Sequence, residues 1–144
     1  MRLSADEATN RLRGHDHGVL STLNPERGVD SVPVVYGIDE DGYIGIPIDT
    51  VKPKSSTSLQ REENLAADRR ATLLVDRWDR DDWSQLWWVR VRLERMDDDA
   101  RRADRLADVL AAKYPQYADK PFARIMMFRV MTITGWAATE TDPT

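Results

Sequence analysis

Short apolar segments separated by tight-turn residues are the feature that most constrains the fold of this chain. Three such segments, at residues 19–23, 31–38 and 43–48, are joined only by the turn sequences 24–28 and 39–42. Asn, Pro, Asp and Gly in these connections favour hairpins, so the three segments are predicted to form an antiparallel meander. Pro33 cannot donate a hydrogen bond within a sheet, which places it at an edge or a bulge.

Three further strands and three helices are predicted along the rest of the chain. The strands are a compact apolar run, an alternating segment that sends Trp87 and Trp88 to opposite faces, and a long final segment, at 71–75, 86–93 and 122–133. Helices are predicted from the Ser4 capping box to Gly14, from the hydroxyl residues at 55–57 through Leu65, and from the acidic residues 97–99 to Lys113. Since six antiparallel strands hide their edges best by closing, the sequence predicts a mainly β (α+β) protein built on a small six-stranded barrel.

Size and composition exclude several classes of protein. The 144 residues suit one domain, predicted over residues 1–138 with a short polar tail at 139–144. A formal net charge of −4 argues against general nucleic-acid binding, which needs a basic face. The absence of cysteine excludes disulfides and thiolate metal sites, and two histidines are too few for a histidine-built zinc site, so no metal is predicted. No segment has the length and apolarity of a membrane span or a leader, and a cytoplasmic protein is expected.

A basic corner follows the third predicted strand. Two of the four lysines, Lys52 and Lys54, flank Pro53, which biases the chain away from helix. Ser55, Ser56 and Thr57 come next, at a predicted helix start whose open N–H groups attract anions. The corner is predicted to bind the phosphate of a cofactor, with a solvated turn as the alternative.

Four of the five tryptophans fall between Trp78 and Trp88. Tryptophan buries much apolar area, so this group is predicted either to pack in the core or a subunit interface, or to form an aromatic wall beside a flat cofactor. No cysteine or Gly-x-Ser-x-Gly nucleophile motif, Walker loop or Gly-x-Gly-x-x-Gly loop is present. Any chemistry is therefore expected to belong to a bound cofactor.

The motifs together resemble the pyridoxamine-phosphate-oxidase-like split-barrel superfamily, and within it the deazaflavin-dependent oxidoreductases. The resemblance covers nearly the whole chain and rests on Val32-Pro33-Val34-Val35-Tyr36, Lys52-Pro53-Lys54, Leu59-x-Arg61-x-x-Asn64-Leu65 and Leu86-Trp87-Trp88-Val89-Arg90. Two positions depart from the family pattern. Glu62 replaces an apolar residue, and residues 92–95 lack a glycine.

The resemblance implies a six-stranded split β-barrel that forms a homodimer with its cofactor at the subunit interface. The cofactor of this branch is coenzyme F420, a deazaflavin, whereas relatives use FMN. Lys52, Lys54, Ser56 and Thr57 would bind its phosphate, and the backbone of Pro33, Val34 and Val35 would line its ring. Trp88 of the partner subunit would lie near that ring.

The function expected from this resemblance is transfer of a hydride from reduced F420 to a small unsaturated acceptor. The alternatives are an FMN-dependent oxidoreductase, a cofactor-binding protein without turnover, and a structural barrel that has lost the site. The proton that follows the hydride has two candidate sources, Tyr36 and solvent. Arg61 is a candidate partner, chosen by charge, for the anionic tail of the deazaflavin.

Overall fold

The computed structural model describes residues 1–50 and 56–139, without the side chains of residues 56–59. It contains three α-helices and seven β-strands, in the order α1 (Ala5–Gly14), β1 (Gly18–Asn24), β2 (Gly28–Val34), β3 (Gly37–Ile38), β4 (Ile44–Asp49), α2 (Ser56–Ala67), β5 (Arg70–Arg77), β6 (Trp87–Arg95), α3 (Ala100–Lys113) and β7 (Phe122–Ala137). Two 3₁₀ turns, Trp83–Gln85 and Pro115–Tyr117, complete the described structure.

All seven strands form one antiparallel sheet in the order β2-β1-β5-β6-β7-β4-β3. The prediction of six strands closed into a barrel is wrong in two respects, because a seventh strand is present and β2 and β3 are edges that do not pair with each other. The extra strand arises within the predicted segment 31–38. That segment ends its pairing with β1 at Val34 and begins pairing with β4 at Gly37, on the opposite edge of the sheet.

The two edges of the sheet are nevertheless close in space where the chain crosses between them. Val35 and Tyr36 are the only residues between the end of β2 and the start of β3. Because consecutive Cα atoms are about 3.8 Å apart, three virtual bonds hold Val34 and Gly37 within about 11 Å of each other. The sheet therefore curls on itself and stops short of closure, which gives a split barrel. We refer to the gap between β2 and β3, with the Val35–Tyr36 link across it, as the split.

The core lies inside the curled sheet and follows the predicted alternation of strand residues. On β6, Trp87, Val89, Val91 and Leu93 are buried, while Trp88, Arg90 and Arg92 lie on the opposite face. Neighbouring strands contribute the fully buried Leu20, Leu73, Ile44, Ile46, Met126 and Phe128. Each such side chain contributes roughly 1.5–3 kcal/mol by leaving water, so this face holds the sheet together.

The helices cover the sheet from three sides. The predicted capping box of α1 is confirmed, with the Glu7 N–H donating to Ser4 Oγ at 3.1 Å and the Ser4 N–H to Glu7 Oε1 at 3.0 Å. Helix α1 packs on β6 and β7, α2 on β1, and α3 on β3, β4 and β7. In the part of the chain that the structure describes, none of the helices combines the length and apolarity needed to cross a bilayer.

Candidate functional site

The ring-lining residues predicted from the sequence lie at the split. Val34 ends β2 with its side chain buried, Pro33 before it is exposed, and Val35 after it is half-buried. Among the described strands, β2 pairs with β1 alone. Its other edge therefore presents backbone groups that no strand uses, and a flat ligand can use those groups.

The phosphate corner is described only in part. Lys52 and Lys54 lie outside the described residues. Ser56 and Thr57 are the first two residues of α2, and their side chains also lie outside the description. The helix start at the predicted phosphate position is thus present in the backbone, and the lysine and hydroxyl assignments stay predictions.

Both ends of the corner are attached to the rest of the fold. On the strand side, the Tyr117 hydroxyl donates to the Asp49 carboxylate, and the Thr50 N–H donates to the Pro121 carbonyl at 2.9 Å. Burial raises the pKa of Tyr117 above its usual range, and the Asp49 carboxylate raises it further, so Tyr117 stays a donor. These contacts fix the end of β4 against the segment that follows α3.

On the helix side, Asn64 fastens α2 to the β1–β2 hairpin. Its side chain is 2% exposed. The amide Nδ2 donates to Thr22 Oγ1 at 3.0 Å and to Asp30 Oδ2 at 2.8 Å, and the amide oxygen accepts from Asn24 and Gln60, each at 3.0 Å. Because a satisfied buried amide tolerates few other arrangements, these four bonds set the position of α2 against β2.

A cavity of about 350 Å³ lies between α2 and the β1–β2 hairpin, lined by Thr22, Arg27, Asp30, Ser31, Val32, Gln60 and Arg61. Arg27 is paired with Asp30, at 2.6 Å between Nη2 and Oδ2. Arg61 differs, because its buried Nε donates to no atom of the described residues. Burial lowers the pKa of the Arg61 guanidinium, against the opposing charges of Glu62 and Asp49.

The position of Arg61 relates this cavity to the phosphate corner. Arg61 is five residues after Ser56, which is about 7.5 Å along the helix axis. A desolvated guanidinium with an unused donor is unfavourable unless an anion pairs with it. The cavity, one and a half turns from the helix start, therefore has the chemistry of an anion-binding site.

Glu62, one of the two departures from the family pattern, has a structural explanation. It accepts two hydrogen bonds from the Arg124 guanidinium of β7, at 3.0 Å from Nε and 2.7 Å from Nη2. The bidentate pair joins α2 to β7, so the acidic residue replaces apolar packing with an ion pair at this position.

Trp88 lies away from the other predicted site residues within one subunit. It is half-buried on the outer face of β6, paired with Asp76 of β5 and Trp136 of β7. Three inter-strand spacings, roughly 14 Å, separate β6 from β2. A single subunit therefore does not bring Trp88 to the Val34–Val35 backbone.

The outer face of the sheet carries an exposed apolar surface beside the split. Pro33, Val19 and Leu74 are cross-strand neighbours on β2, β1 and β5, and Val19 and Leu74 are 37% and 41% exposed. Trp88 and Trp136 lie in the next row, and the exposed rings of Trp78 and Trp83 contact each other at 5.5 Å between centroids. We call the surface of Pro33, Val19, Leu74, Trp88 and Trp136 the outer apolar face. Arg90 and Asp76 lie among these residues, and the Arg90 guanidinium is 5.2 Å from the Trp88 ring centroid. Exposed apolar side chains grouped in this way mark a candidate contact site.

Tyr36 is a buried residue of the core. Its side chain is 0% exposed, and its hydroxyl donates to the Leu12 carbonyl. Burial raises the pKa of this phenol above its usual range. Because the hydroxyl is buried against α1, Tyr36 is not a suitable proton donor to a ligand at the split, and solvent is the candidate that remains.

Sequence reasoning missed the residues that hold the site in place. Asn64 and Gln60 are four residues apart on α2, a spacing that places both on one helix face and could have indicated the polar contact with β1. Lys113 and Tyr114, which bind the backbone of Tyr36 across the split, gave no such signal, because their partners are about 77 residues away.

Comparison with known proteins supports the fold. Neither a protein-family model nor a curated protein matches the sequence. A conserved hypothetical protein of Mycobacterium tuberculosis superposes with a TM-score of 0.69 at 18% identity, covering 94% of this chain and 86% of that one. An FMN-binding protein of Syntrophomonas wolfei gives 0.67 at 17% identity, covering 92% and 88%.

A putative pyridoxamine 5'-phosphate oxidase of Corynebacterium glutamicum superposes with a TM-score of 0.56 at 20% identity, covering 94% of both chains. Similarity at this level of identity shows the fold alone. The chain therefore shares the fold of these solved structures, and its cofactor and activity have to be argued from its own residues.

Proposed function

We propose that this protein is a homodimeric oxidoreductase that holds coenzyme F420 at the split and passes a hydride from it to a small unsaturated acceptor. The cofactor phosphate would lie at Lys52, Lys54, Ser56 and Thr57, and its ring against the backbone of Pro33, Val34 and Val35. The observation that supports the proposal is the cavity beside α2, where the buried Nε of the half-buried Arg61 donates to no atom of the described residues.

The residues fit a phosphorylated cofactor on physical grounds. The start of α2 offers open N–H groups and the positive end of its dipole, and Arg61 follows Ser56 by about 7.5 Å of rise along the axis. The unpaired edge of β2 offers backbone donors and acceptors to a planar ring. Anionic groups and a flat ring could thus be bound by neighbouring elements of the fold, α2 and β2, which lie on the two sides of one cavity.

When bound, the cofactor would supply the hydride chemistry, and the protein would bind, orient and exclude water. The corner and Arg61 would hold the anionic groups, and the backbone at 33–35 would fix one edge of the ring. Since Tyr36 is buried against Leu12, the proton would come from solvent.

The homodimer is part of the proposal, and the outer apolar face supports it. Leu74 and Val19 stay 41% and 37% exposed, and Trp88 lies roughly 14 Å from β2 of its own subunit. A second copy covering this face would bury these side chains and would bring its Trp88 to the split.

In analytical ultracentrifugation, the parent protein is expected to sediment as a dimer and Leu74→Glu as a monomer. A monomeric parent at assay concentration would contradict the proposed homodimer.

FMN is the second candidate cofactor, and the similarity to an FMN-binding protein of the same fold favours it. FMN also carries a phosphate and a flat ring, so the same residues would serve it. The two cofactors differ in the tail beyond the phosphate. A longer anionic tail would gain more binding free energy from Arg61 than FMN does. The Arg61→Met substitution is therefore expected to weaken binding of F420 more than binding of FMN.

The direct test is a fluorescence titration of the purified protein with FMN and F420 side by side. We expect tight binding of at least one, weakened about tenfold or more by Lys54→Ala and unchanged by Lys120→Ala, since Lys120 is an exposed lysine paired with Asp108. Turnover of the reduced cofactor with quinones, enones and tetrapyrroles then separates an enzyme from a carrier. Failure to bind either cofactor, or equal binding by Lys54→Ala and the parent, would contradict the proposal.

A further inference from the structure

Helix α3 holds the link that crosses the split. Lys113 Nζ donates to the Tyr36 carbonyl at 3.0 Å, and the Tyr36 N–H donates to the Tyr114 hydroxyl at 3.3 Å. The Tyr114 hydroxyl in turn donates to the Asp16 carbonyl at 2.7 Å. Both peptide groups of Tyr36, which none of the described strands pairs, are therefore bound by Lys113 at the end of α3 and by the next residue, Tyr114.

The side chain of Tyr36 is fixed from the opposite direction. Its hydroxyl reaches the Leu12 carbonyl of α1, and the Lys113 ammonium lies 4.0 Å from the centroid of its ring. The next residue, Gly37, lies so close beneath α3 that a Cβ there would approach Val109 Cγ1 to 2.9 Å. The link consequently has little freedom to shift relative to α1 and α3.

Stability alone does not explain an ammonium at this position. Burial lowers the pKa of Lys113 to about 8, and the nearby Asp16 only partly opposes the shift. The other titratable groups facing it are His15, Tyr36 and Tyr114. Replacement of a desolvated charge by an apolar side chain of similar volume is often neutral or stabilising, so the lysine has a different use.

We propose that Lys113 and Tyr114 are positioning residues that fix the Val34–Val35 backbone for the cofactor ring. Val35 is joined to the bound residue Tyr36, and among the described residues no strand lies on the outer edge of β2 to hold it. The clamp from α3 takes the place of that missing strand. This inference rests on the proposed function, because it assumes that the ring lies against residues 33–35.

A protonation dependence follows from the chemistry of the clamp. A charge-assisted hydrogen bond to the Tyr36 carbonyl is roughly twice as strong as a neutral one, and only the ammonium has a cation–π contact with Tyr36. Cofactor affinity of the parent should therefore fall severalfold as pH rises from 7 to 9. Lys113→Met, which keeps the length of the side chain and loses the charge, should bind severalfold more weakly at pH 7 and lose this dependence.

The experiment uses the full chain with the variants Lys113→Met and Tyr114→Phe, and Lys120→Met as the control at an exposed lysine. Amide hydrogen exchange of the cofactor-free protein measures protection at Tyr36 and Gly37, and a titration with FMN and F420 at pH 7, 8 and 9 measures affinity. NMR of the parent protein follows the protonation of the Lys113 side chain over the same pH range and needs no variant. We expect faster exchange at Tyr36 in both clamp variants, and a parent affinity profile that Lys120→Met retains and Lys113→Met loses.

The outcomes separate this inference from the proposed function. If the parent binds neither cofactor, the proposed function fails, and faster exchange at Tyr36 in the variants would still support the clamp. If the parent binds a cofactor and Lys113→Met matches it in affinity and pH profile, the positioning role is overturned and the proposed function stands. Should Lys113→Met not fold, Tyr114→Phe decides by affinity alone, and parent-like cofactor affinity in this variant would overturn the positioning role.

Discussion

The paired body of the sheet and the split are held together by different kinds of contact. From β1 through β5, β6 and β7 to β4, each strand is hydrogen-bonded on both sides and buries an unbroken apolar face. At the split, β2 and β3 are each paired on one side only among the described strands, and contacts from α1, α2 and the end of α3 hold the chain there instead. The body therefore needs only apolar residues at alternate positions, whereas the split needs particular polar residues.

This difference between the body and the split determines where the fold can bind a ligand. Backbone groups inside the sheet are already satisfied, and the exposed apolar face gives no fixed hydrogen bonds. The split has a strand edge that no described strand pairs, and α2, with its helix start and the half-buried Arg61, lies beside the β1–β2 hairpin. Substitutions in the body should therefore change stability, and those at the split should change cofactor binding.

The largest expected effect is on stability and belongs to the body of the sheet. Leu73 is 0% exposed at the centre of β5, so Leu73→Ala should lower the free energy of unfolding by about 2–5 kcal/mol. Chemical denaturation measures this, with the 63% exposed Val29→Ala as the control, expected within about 0.5 kcal/mol of the parent. Folded Leu73→Ala should bind the cofactor with the affinity of the parent. A large loss of cofactor affinity in this variant would contradict the separation of stability and binding between the two regions.

Asn64→Ala tests the boundary between the regions. It removes an amide with four hydrogen bonds and leaves Thr22 and Asp30 without a donor from α2. The free energy of unfolding should fall by about 1–3 kcal/mol, the range for unsatisfied buried polar groups. Because the predicted phosphate corner leads into α2, cofactor affinity measured under fully folding conditions is expected to fall as well. Parent-like affinity would show that the packing of α2 does not position this corner.

Arg61→Met should separate binding from stability most cleanly. Loss of the guanidinium should raise the dissociation constant of the cofactor about tenfold, or roughly 1.4 kcal/mol. The free energy of unfolding should stay the same or increase, because a desolvated charge is removed. Arg105→Met is the matched control, since Arg105 is exposed and bonded to Asp41 at 3.1 Å. Equal cofactor affinity in the parent and in Arg61→Met would show that this cavity does not take part in cofactor binding.

The smallest expected effect is a pH dependence of stability from Lys113. Its pKa is about 8 in the folded protein against 10.5 for an ordinary lysine, so between these values the unfolded chain binds more protons. Stability should therefore rise with pH from 8 toward 9.5 through this group, and Lys113→Met should lose that rise. The measurement stops near pH 9.5, because the raised pKa values of Tyr36 and Tyr114 act in the opposite direction at higher pH. A slope retained in Lys113→Met would assign the effect to another group.

The body of the sheet was predictable from the sequence, because alternation and turn residues are local signals. The capping box of α1, the β1–β2 hairpin and the burial of alternate residues on β6 are all confirmed. The division of residues 31–38 into two edge strands was not predictable. Val32 to Ile38 remains a continuous apolar pattern, and the break at Val35 and Tyr36 depends on Lys113 and Tyr114, far along the chain.

The candidate site was predictable to a similar extent. The helix start at Ser56 and the exposed edge at Pro33 follow from capping residues and from proline chemistry. The burial of the Arg61 Nε and the four hydrogen bonds of Asn64 depend on how α2 packs against the β1–β2 hairpin. That packing joins residues far apart in the sequence. The roles of Lys52 and Lys54 stay predictions.

The central claim is that a phosphorylated, flat cofactor binds at the split. NMR of the ¹⁵N-labelled protein titrated with FMN, and separately with F420, tests it most directly. The account predicts chemical-shift changes concentrated at the amides of Val34 to Gly37 and in the first two turns of α2, around Arg61. Changes confined to another surface, such as the cavity beside His15 and Trp87, or no change with either cofactor, would contradict it.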